Sequence, residues 1–568
     1  MRMPRTPPRG PDAPPVGHVV LVLHTHLPWV LGHGRWPHGE DWLLEAAAEC
    51  YLPILRVMDR IVTDGGSPRI TVGLTPVLCE MLTSPKFKED FVAYLDSRRE
   101  LAERDREEFE AIGNRDASRL ANSWGAFYGA AKQDFVGTYN RDLVGAFRKL
   151  QDGGHVEVIT SAATHGYLPL LGRDDAIGAQ VAAGVSVYRR HFERAPRGIW
   201  LPECAYRPAG RWSRPAGPAR AWDRPGLEDI LARHGLRYFF VDTHLVAGGT
   251  PLGTYSDRFE EQAASETRPQ TKASPNEAHA LVVRGGKRVA VLARDPRSSV
   301  QVWSADYGYP GDGAYLEFHR KKGKAGLRYW RVTSRAFPLE DKAPYNPRAA
   351  EERARAHAEH FVATVRETLR AHREATGRTG VVVAPFDTEL FGHWWFEGPR
   401  WLDAVLRGLH GDVASVTASE CLVKTPPSSV IRLPEGSWGQ GGHHWVWLNP
   451  DTLWVWELVY RAEDAFAEML KEARRRRGEV PRVVRQLARE LLLLESSDWP
   501  FLITTVSARD YAEARVKLHA ATFDRLLGLA RTAIAGPLSP GDATWLAEVE
   551  ARDAVFPDID FDWWAGTT

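Results

Sequence analysis

The chain of 568 residues has few of the features that mark disulfide-bonded, zinc-binding or membrane proteins. Its four cysteines, Cys50, Cys79, Cys204 and Cys421, show no C-x-x-C spacing, which argues against a zinc ribbon or a disulfide scaffold. No apolar run reaches the roughly 18 residues that a membrane-spanning helix needs. Basic and acidic residues both number 73, so no basic excess favours nucleic acid or an anionic membrane as a partner.

Two further absences limit the fold and the location. No G-x-G-x-x-G follows a predicted strand, which disfavours an open, dinucleotide-binding sheet. Residues 1–17 are Pro-rich and basic without an apolar core, so we expect a disordered tail and no signal peptide. Together with the sparse cysteines, these features predict a cytoplasmic protein.

Short apolar runs, each followed by turn or polar residues, alternate with helical segments along most of the chain. Roughly seven or eight such strands, with a Gly-Gly hairpin at 282–292, lie between 18 and 416 and predict a parallel (β/α) barrel over 18–432. Residues 86–150 are charged and helical in period, which predicts a helical insertion. From 433 to 568 the strand patterns stop, which predicts a C-terminal helical domain.

Two of the predicted strands end in the same way, with a proline and then an acid. Glu203 follows Pro202 directly, and Asp387 follows Pro385 and Phe386. Because the strand ends of a barrel open on one face, the two carboxylates are predicted to converge. Such a pair is typical of glycosidases, in which one acid is the nucleophile and the other the acid/base, about 5 to 5.5 Å apart for retention. A helix cap is the structural alternative for Asp387.

Histidines and tryptophans accompany these acids. His24 and His26 lie on one face of a predicted strand, and His165 follows another strand. The 21 tryptophans offer flat surfaces on which a sugar can stack. Two other classes stay open: His24 and His26 with Asp242 or Asp387 would suit a metal-dependent deacetylase, and tryptophans alone would suit a non-catalytic sugar-binding protein.

Several short motifs resemble, in order, those of glycoside hydrolase family 57. They are His24–Pro28, Glu157–Thr160 with His165, Trp200–Tyr206, Phe386–His393 with Trp394-Trp395, and Ser496–Trp499. Within the family, the resemblance is greatest to the 1,4-α-glucan branching enzymes. Two stretches, 210–226 and 260–276, depart from the family pattern and look like insertions.

The resemblance implies a distorted (β/α)7 barrel with a helical insertion, and a C-terminal helical domain that contributes to the active-site cleft. It implies a retaining mechanism without a metal or other cofactor, with Glu203 as nucleophile and Asp387 as acid/base. The substrate contacts it implies are Arg294, Gly311, Trp438 and Asp498, with His24, His26, His165, Trp303 and Trp447 lining the site.

The implied reaction cleaves an α-1,4 bond of an α-glucan and transfers the chain to a 6-hydroxyl group. A 4-α-glucanotransferase or an amylase-type hydrolase would use the same carboxylates. Transfer requires that water be kept out while an acceptor is held in place. Tyr255, in a long polar loop, is a candidate lid residue or an ordinary loop tyrosine. Glu389, the other acid near Asp387, is expected to be structural.

Overall fold

The computed structural model describes residues 15–35, 37–217, 221–249, 268, 272–304, 308–323 and 326–565. The predicted tail over 1–17 therefore lies outside the described residues apart from 15–17. Twelve strands occur in the described part: β1 (Gly17–Thr25), β2 (Ile70–Leu74), β3 (Val156–Ser161), β4 (Gly198–Trp200), β5 (Gly210–Ser213), β6 (Ala221–Arg224), β7 (Tyr238–Val241), β8 (His279–Val282), β9 (Arg288–Ala293), β10 (Gly380–Asp387), β11 (Val413–Ser415) and β12 (Ser429–Val430).

Seven parallel strands form the curled central sheet of the described chain, in the order β10, β1, β2, β3, β4, β7, β9. The predicted Gly-Gly hairpin adds β8 antiparallel to β9, and β12 extends that edge. All nine residues of β1 are buried, as expected of a strand covered on both faces. The (β/α)7 prediction is confirmed.

The barrel closes through isolated hydrogen bonds. The Asp295 amide N–H, just beyond β9, donates to the carbonyl of Val383 in β10 at 2.8 Å. The Val381 N–H donates to the carbonyl of Asn276 at 2.8 Å. Because two main-chain bonds replace a continuous ladder here, the sheet is distorted where β9 approaches β10, and β11 pairs with the beginning of β1.

Thirteen helices in the described part surround or precede the sheet: α1 (Glu40–Ala46), α2 (Leu52–Thr63), α3 (Pro76–Thr83), α4 (Pro85–Ala111), α5 (Arg115–Gln133), α6 (Leu143–Asp152), α7 (Asp174–Phe192), α8 (Leu227–Arg233), α9 (Thr243–Ala247), α10 (Pro296–Trp303), α11 (Pro347–Thr376), α12 (Gly398–Gly408) and α13 (Ala418–Lys424). A π-helical turn, Ala47–Tyr51, separates α1 from α2. Its extra residue per turn redirects side chains, and such turns are frequent near functional sites.

Local sequence signals set the ends of α11. The Asn346 side chain accepts hydrogen bonds from the amides of Arg348 and Ala349, and Pro347 occupies the first helical turn. The helix ends at Gly377, whose φ of 71° is in the left-handed region that favours glycine. Helical periodicity predicts a helix over about 348–376, and α11 nearly coincides with it because the sequence contains all three signals.

The C-terminal region consists of α14 (Leu453–Ala473), α15 (Glu479–Leu494), α16 (Asp498–Thr505), α17 (Arg509–Ala535) and α18 (Pro540–Arg552). Helical periodicity predicts one helix over 502–534, and this is wrong. The helix breaks at Val506, which has a φ of 55°. The break separates α16 from α17 and lets α16 begin at Asp498, beside the barrel.

The insertion-like stretch 210–226 contains the antiparallel hairpin of β5 and β6, which sequence patterns did not predict. Arg214 of this hairpin region pairs with Asp464 of α14 through two hydrogen bonds of 2.6 and 2.8 Å. The hairpin therefore contacts the C-terminal helices. No helix among the described residues is long and apolar enough to cross a membrane.

Candidate active site

The carboxyl ends of β1, β4 and β10 bring the two predicted catalytic acids into one site. Asp387 is the last residue of β10 and the register partner of His24 in β1. Glu203 follows β4 in the turn Pro202–Cys204. Burial raises the pKa of Glu203, and the charge of Asp387 adds to this shift.

The backbone at Glu203 is held in an unfavourable conformation. Its φ of 62° and ψ of 24° lie in the left-handed region, which costs a non-glycine residue about 1 to 3 kcal/mol. The Trp438 amide N–H donates to the Glu203 carbonyl at 3.1 Å and helps to fix the turn. This conformation aims the carboxyl group into the cleft, where the side chain keeps 14% exposure.

The Glu203 carboxyl accepts two hydrogen bonds. The Trp438 indole Nε1 donates to Oε2 at 2.8 Å, and the Ser497 hydroxyl donates to Oε1 at 3.2 Å. Burial raises the pKa of Glu203 to about 8, the bond from Trp438 opposes this shift, and the charge of Asp387 adds to it. Both donors stabilise the ionised form.

A chain of hydrogen bonds ends on Glu203 and fixes the histidine tautomers. Ser497 donates to Glu203, so its oxygen accepts from His165 Nδ1 at 2.7 Å. His165 Nε2 then accepts from His24 Nε2 at 3.0 Å. Burial lowers the pKa of His24 and of His165 well below the usual value, so both rings are neutral and can adopt this order. Every dipole in the chain points its positive end toward the Glu203 carboxyl.

Asp387 is in a different environment. No hydrogen-bond donor to its carboxyl group is found among the described residues. Burial raises its pKa well above the usual value, the charge of Glu389 adds to this shift, and Arg294 opposes it. Arg294 is held in place by Asp242 through two bonds of 2.8 Å. The two carboxyl groups therefore differ in their surroundings: Glu203 accepts two hydrogen bonds that favour its ionised form, and Asp387 accepts none from the described residues.

Glu389 contributes to this asymmetry, contrary to the expectation that it is only structural. Its Oε1 accepts from the Tyr51 hydroxyl at 2.7 Å and from the His26 amide at 3.3 Å. Burial raises its pKa to about 7. Tyr51 is the last residue of the π-helical turn, so this turn helps to position the carboxyl group of Glu389.

Tryptophans surround the acids. Trp438 contacts the ring edges of Trp200 and Trp303 with centroids 5.1 and 5.6 Å apart, and Trp303 Nε1 donates to the Pro385 carbonyl at 3.1 Å. Trp303 is partly exposed and available to a ligand. Trp447 is only 1% exposed and stacks on Tyr167 at 4.5 Å. It therefore supports the wall of the site from behind instead of facing a sugar.

His26 and Asp498 join the barrel to the beginning of α16. His26 Nε2 lies 3.0 Å from Asp498 Oδ2, and its Nδ1 lies 3.0 Å from the Thr75 hydroxyl. Burial raises the pKa of Asp498, but the charge of His26 and its hydrogen bond outweigh this and lower it. Ligand atoms of His26, His165 and Asp498 lie within 4.8 Å of one another, close enough for a metal ion. Each nitrogen of the two histidines already has a hydrogen-bond partner.

The candidate metal ligands named from the sequence, His24 and His26 with Asp242 or Asp387, are not the three residues that the structure brings together. The carboxylate of Asp242 is instead paired with the guanidinium of Arg294. Gly311 ends the turn Tyr309–Gly311, and no hydrogen bond joins it to either catalytic acid in the described part of the chain. Tyr255 lies outside the described residues.

Sequence reasoning predicted Trp438 in the site but missed the donors Ser497 and Tyr51 and the contact of Tyr51 with Glu389. Ser497 carried no strand or spacing signal, although it stands in the quoted motif Ser496–Trp499. Tyr51 and Glu389 meet only through the π-helical turn. The one local signal for Ser497 is its place directly before Asp498, the first residue of α16, because serine is frequent at the beginning of helices.

Comparisons with known proteins show the family to which the chain belongs. Residues 20–433 match the model of glycosyl hydrolase family 57, and residues 458–564 match that of the 1,4-alpha-glucan branching enzyme C-terminal domain. The chain is 45% identical over 547 residues to the 1,4-alpha-glucan branching enzyme of Thermococcus kodakarensis, covering 96% of this chain and 78% of the relative.

Solved structures share the whole architecture. A branching enzyme of this family from Pyrococcus horikoshii superposes with a TM-score of 0.86 at 40% identity, covering 97% of both chains. The alpha-amylase AmyC from Thermotoga maritima gives 0.81 at 30% identity, covering 97% of this chain and 99% of that one. The family model alone spans more than half of the 568 residues, and this chain belongs to glycosyl hydrolase family 57.

Proposed function

We propose that this protein is a 1,4-α-glucan branching enzyme that works with retention. The observation that carries the proposal is the asymmetry of the acid pair: Glu203 accepts two hydrogen bonds, whereas Asp387 accepts none from the described residues. One acid is thereby suited to attack as an anion and the other to donate a proton. The similarity to named branching enzymes, which extends through the C-terminal helices, supports transfer as the outcome.

In the first step, a Glu203 oxygen forms a bond to the anomeric carbon of an α-1,4-linked glucose. The bond from that carbon to the bridging oxygen breaks, and Asp387 gives its proton to the departing 4-hydroxyl group. The hydrogen bonds from Trp438 and Ser497 favour the ionised form of Glu203, which is the form that attacks. The product is a glycosyl ester on Glu203.

In the second step, Asp387 takes a proton from the 6-hydroxyl of an acceptor glucan. That oxygen displaces Glu203 from the anomeric carbon, so an α-1,6 bond forms and both acids return to their first states. Two inversions give net retention. Water in place of the 6-hydroxyl would give hydrolysis, so the outcome depends on excluding water and positioning the acceptor.

The residues around the pair fit a glucan. Trp303 and Trp438 offer aromatic walls, and Asp498 offers a polar group nearby, whereas Arg294 is buried against Asp242. Amylose and glycogen-like chains are the proposed substrates. A cytoplasmic location is also proposed, supported by four cysteines that are all unpaired and buried.

Incubation with amylose tests the reaction. We expect new α-1,6 linkages, counted after debranching or by NMR, to outnumber new reducing ends. Reducing ends without α-1,6 linkages would reject branching. The fold of the Thermotoga alpha-amylase makes hydrolysis the second candidate, and the same assay separates the two.

Substrates with different leaving groups test the roles of the two acids. Glu203→Ala and Asp387→Ala should each lose at least about 1,000-fold in kcat on amylose. Formation of the glycosyl ester from an α-maltosyl fluoride needs no acid, so Asp387→Ala should recover that step and Glu203→Ala should not. Glu548→Gln, on the exposed side of α18, is the control. Recovery of ester formation by Glu203→Ala would show that Glu203 is not the nucleophile.

A further inference from the structure

An exposed indole stands seven residues after Asp387 in the segment that follows β10. Trp394 is 48% exposed, whereas its neighbours His393 and Trp395 are buried. Its amide N–H donates to the carbonyl of Glu389 at 3.2 Å, and Glu389 stands two residues after Asp387. An exposed tryptophan leaves a large apolar surface in water, which makes it more informative than an exposed small residue.

The turn that carries Trp394 is rigid. Gly392 has a φ of 115°, and a Cβ atom there would lie 1.7 Å from the Glu49 carbonyl oxygen. The Gly392 N–H donates to the Trp395 carbonyl at 2.7 Å, and the Trp395 N–H donates to the Leu390 carbonyl at 2.8 Å. Because the backbone is fixed, a ligand that stacks on Trp394 would order few additional bonds.

A second ring supports the indole. Phe318 packs on Trp394 with centroids 4.2 Å apart and an angle of 31° between the rings. The guanidinium of Arg328 lies 5.9 Å from the Phe318 centroid, and Arg328 donates to the His393 carbonyl at 3.1 Å. Arg328 is itself buried and paired with Glu49 of the π-helical turn. One indole face is thus backed by protein, and the exposed part is held at a fixed place.

We propose that Trp394, backed by Phe318, is a binding platform for an α-glucan chain on the Asp387 side of the site. This inference rests on the proposed function. The apolar C–H face of a glucose ring stacks on an indole as other flat ligands do. Asp387 acts on the oxygen that the leaving chain and the acceptor share in turn, so a platform on its side holds those chains.

A glucan suits this surface better than a protein partner does. The exposed aromatic area comes from Trp394 with a half-buried Phe318, far less than the roughly 800 Å² per partner that a stable protein interface buries. The main chain of Trp394 is also bonded to the carbonyl of Glu389, two residues after Asp387, which places the platform on the segment that carries this acid. A single chain of sugars passing between the acids needs only such a narrow contact.

Binding without turnover tests the platform. In a Glu203→Gln background, maltoheptaose and maltotriose are titrated by calorimetry with Trp394 intact, Trp394→Ala or Trp394→Phe. We expect Trp394→Ala to weaken maltoheptaose binding roughly tenfold, with a smaller effect on maltotriose, and Trp394→Phe to retain most of the affinity. Trp545→Ala, a partly exposed indole on α18, is the matched control and should change nothing.

The outcomes separate the platform from the proposed function. Maltoheptaose affinity within twofold of the parent in folded Trp394→Ala would overturn the platform, as would equal losses for Trp394→Ala and Trp394→Phe. A change in oligomeric state without a change in glucan affinity would also overturn it. Branch formation by the wild-type protein is measured separately. Its absence, with Trp394-dependent glucan binding intact, would reject branching and leave the platform standing.

Discussion

The hydroxyl of Ser497 donates to Glu203 Oε1 at 3.2 Å, across 294 positions of sequence. Ser497 immediately precedes α16, whereas Glu203 follows β4 of the barrel. The same serine accepts from His165, so it connects the histidine chain to the carboxyl. The C-terminal helices therefore supply part of the environment that sets the charge of the candidate nucleophile.

Removing the stronger donor to Glu203 should move the pH profile. In Trp438→Phe the ring stays but the bond to Oε2 disappears, so the ionised form loses stabilisation and the pKa of Glu203 rises. We expect the acid limb of kcat/KM to move up by roughly one pH unit, which lowers kcat/KM on that limb by up to about tenfold. The measurement is kcat/KM across pH on a soluble maltooligosaccharide.

Ser497→Ala is the matched comparison for this shift. Its bond to Glu203 is longer, 3.2 Å against 2.8 Å for Trp438, so the acid limb should move in the same direction by less. An acid limb that stays in place in both variants would show that the donors do not set the ionisation of Glu203.

Glu389→Gln should shift the opposite limb. The glutamine oxygen can still accept from Tyr51, but the negative charge that raises the pKa of Asp387 is gone. Asp387 then loses its proton at lower pH, so the alkaline limb of kcat/KM should move down. Glu397→Gln, a buried acid bonded to Tyr345 in the same segment, provides the control. An unchanged alkaline limb, or the same shift in both variants, would contradict the role given to Glu389.

The sequence predicted the elements whose signals are local. The apolar runs over 18–26 and 381–385 predict the strands observed as β1 and β10, and the helical period over about 348–376 predicts α11. These signals are local, because apolar runs and cap residues act within a few positions. The split at Val506 was missed because a left-handed valine has no sequence signature. The hairpin of β5 and β6 was missed because its stretch, 210–226, is rich in proline and arginine and shows no apolar strand pattern.

The site was predicted only in part for a similar reason. Glu203 and Asp387 stand at strand ends, and strand ends of a barrel share an edge whatever the loops do. Ser497 and Tyr51 reach the acids through a helix start and a π-helical turn, whose orientations depend on tertiary packing. The residues that flank Ser497 and Tyr51 in the sequence do not indicate how these elements are oriented.

Chelation should leave the activity unchanged. The four nitrogens of His26 and His165 have as partners Thr75, Asp498, Ser497 and His24, so the cluster is satisfied by hydrogen bonds. A metal ion would have to displace several of these bonds. Dialysis against EDTA, followed by assay with and without zinc, should give rates within about twofold of each other. Activity lost with EDTA and restored by zinc would instead favour a metal site.

A second buried link joins the barrel to the C-terminal helices and should govern stability in acid. His33 Nε2 lies 2.6 Å from Asp553 Oδ1, and Arg552 Nε donates to Asp553 Oδ2 at 2.7 Å. Burial raises the pKa of Asp553, but His33, His519 and Arg552 outweigh it and lower it. Burial also lowers the pKa of His33, against the pull of Asp553.

Both shifts destabilise the protein as pH falls. An unfolded histidine takes up a proton below about pH 6.5 while the folded His33 does not, so stability declines from there. The stability that Asp553 contributes is present above about pH 4 and is lost as pH falls toward its lowered folded value.

Asp553→Ala leaves His33 and Arg552 without their carboxylate and should lower the free energy of unfolding by about 3 to 5 kcal/mol at pH 7. Denaturant unfolding at pH 7 and pH 5 measures this, and Asp524→Ala, which breaks an exposed pair with Arg461, should cost under about 1 kcal/mol. Equal losses in the two variants would mean that the buried pair contributes no more than a surface one.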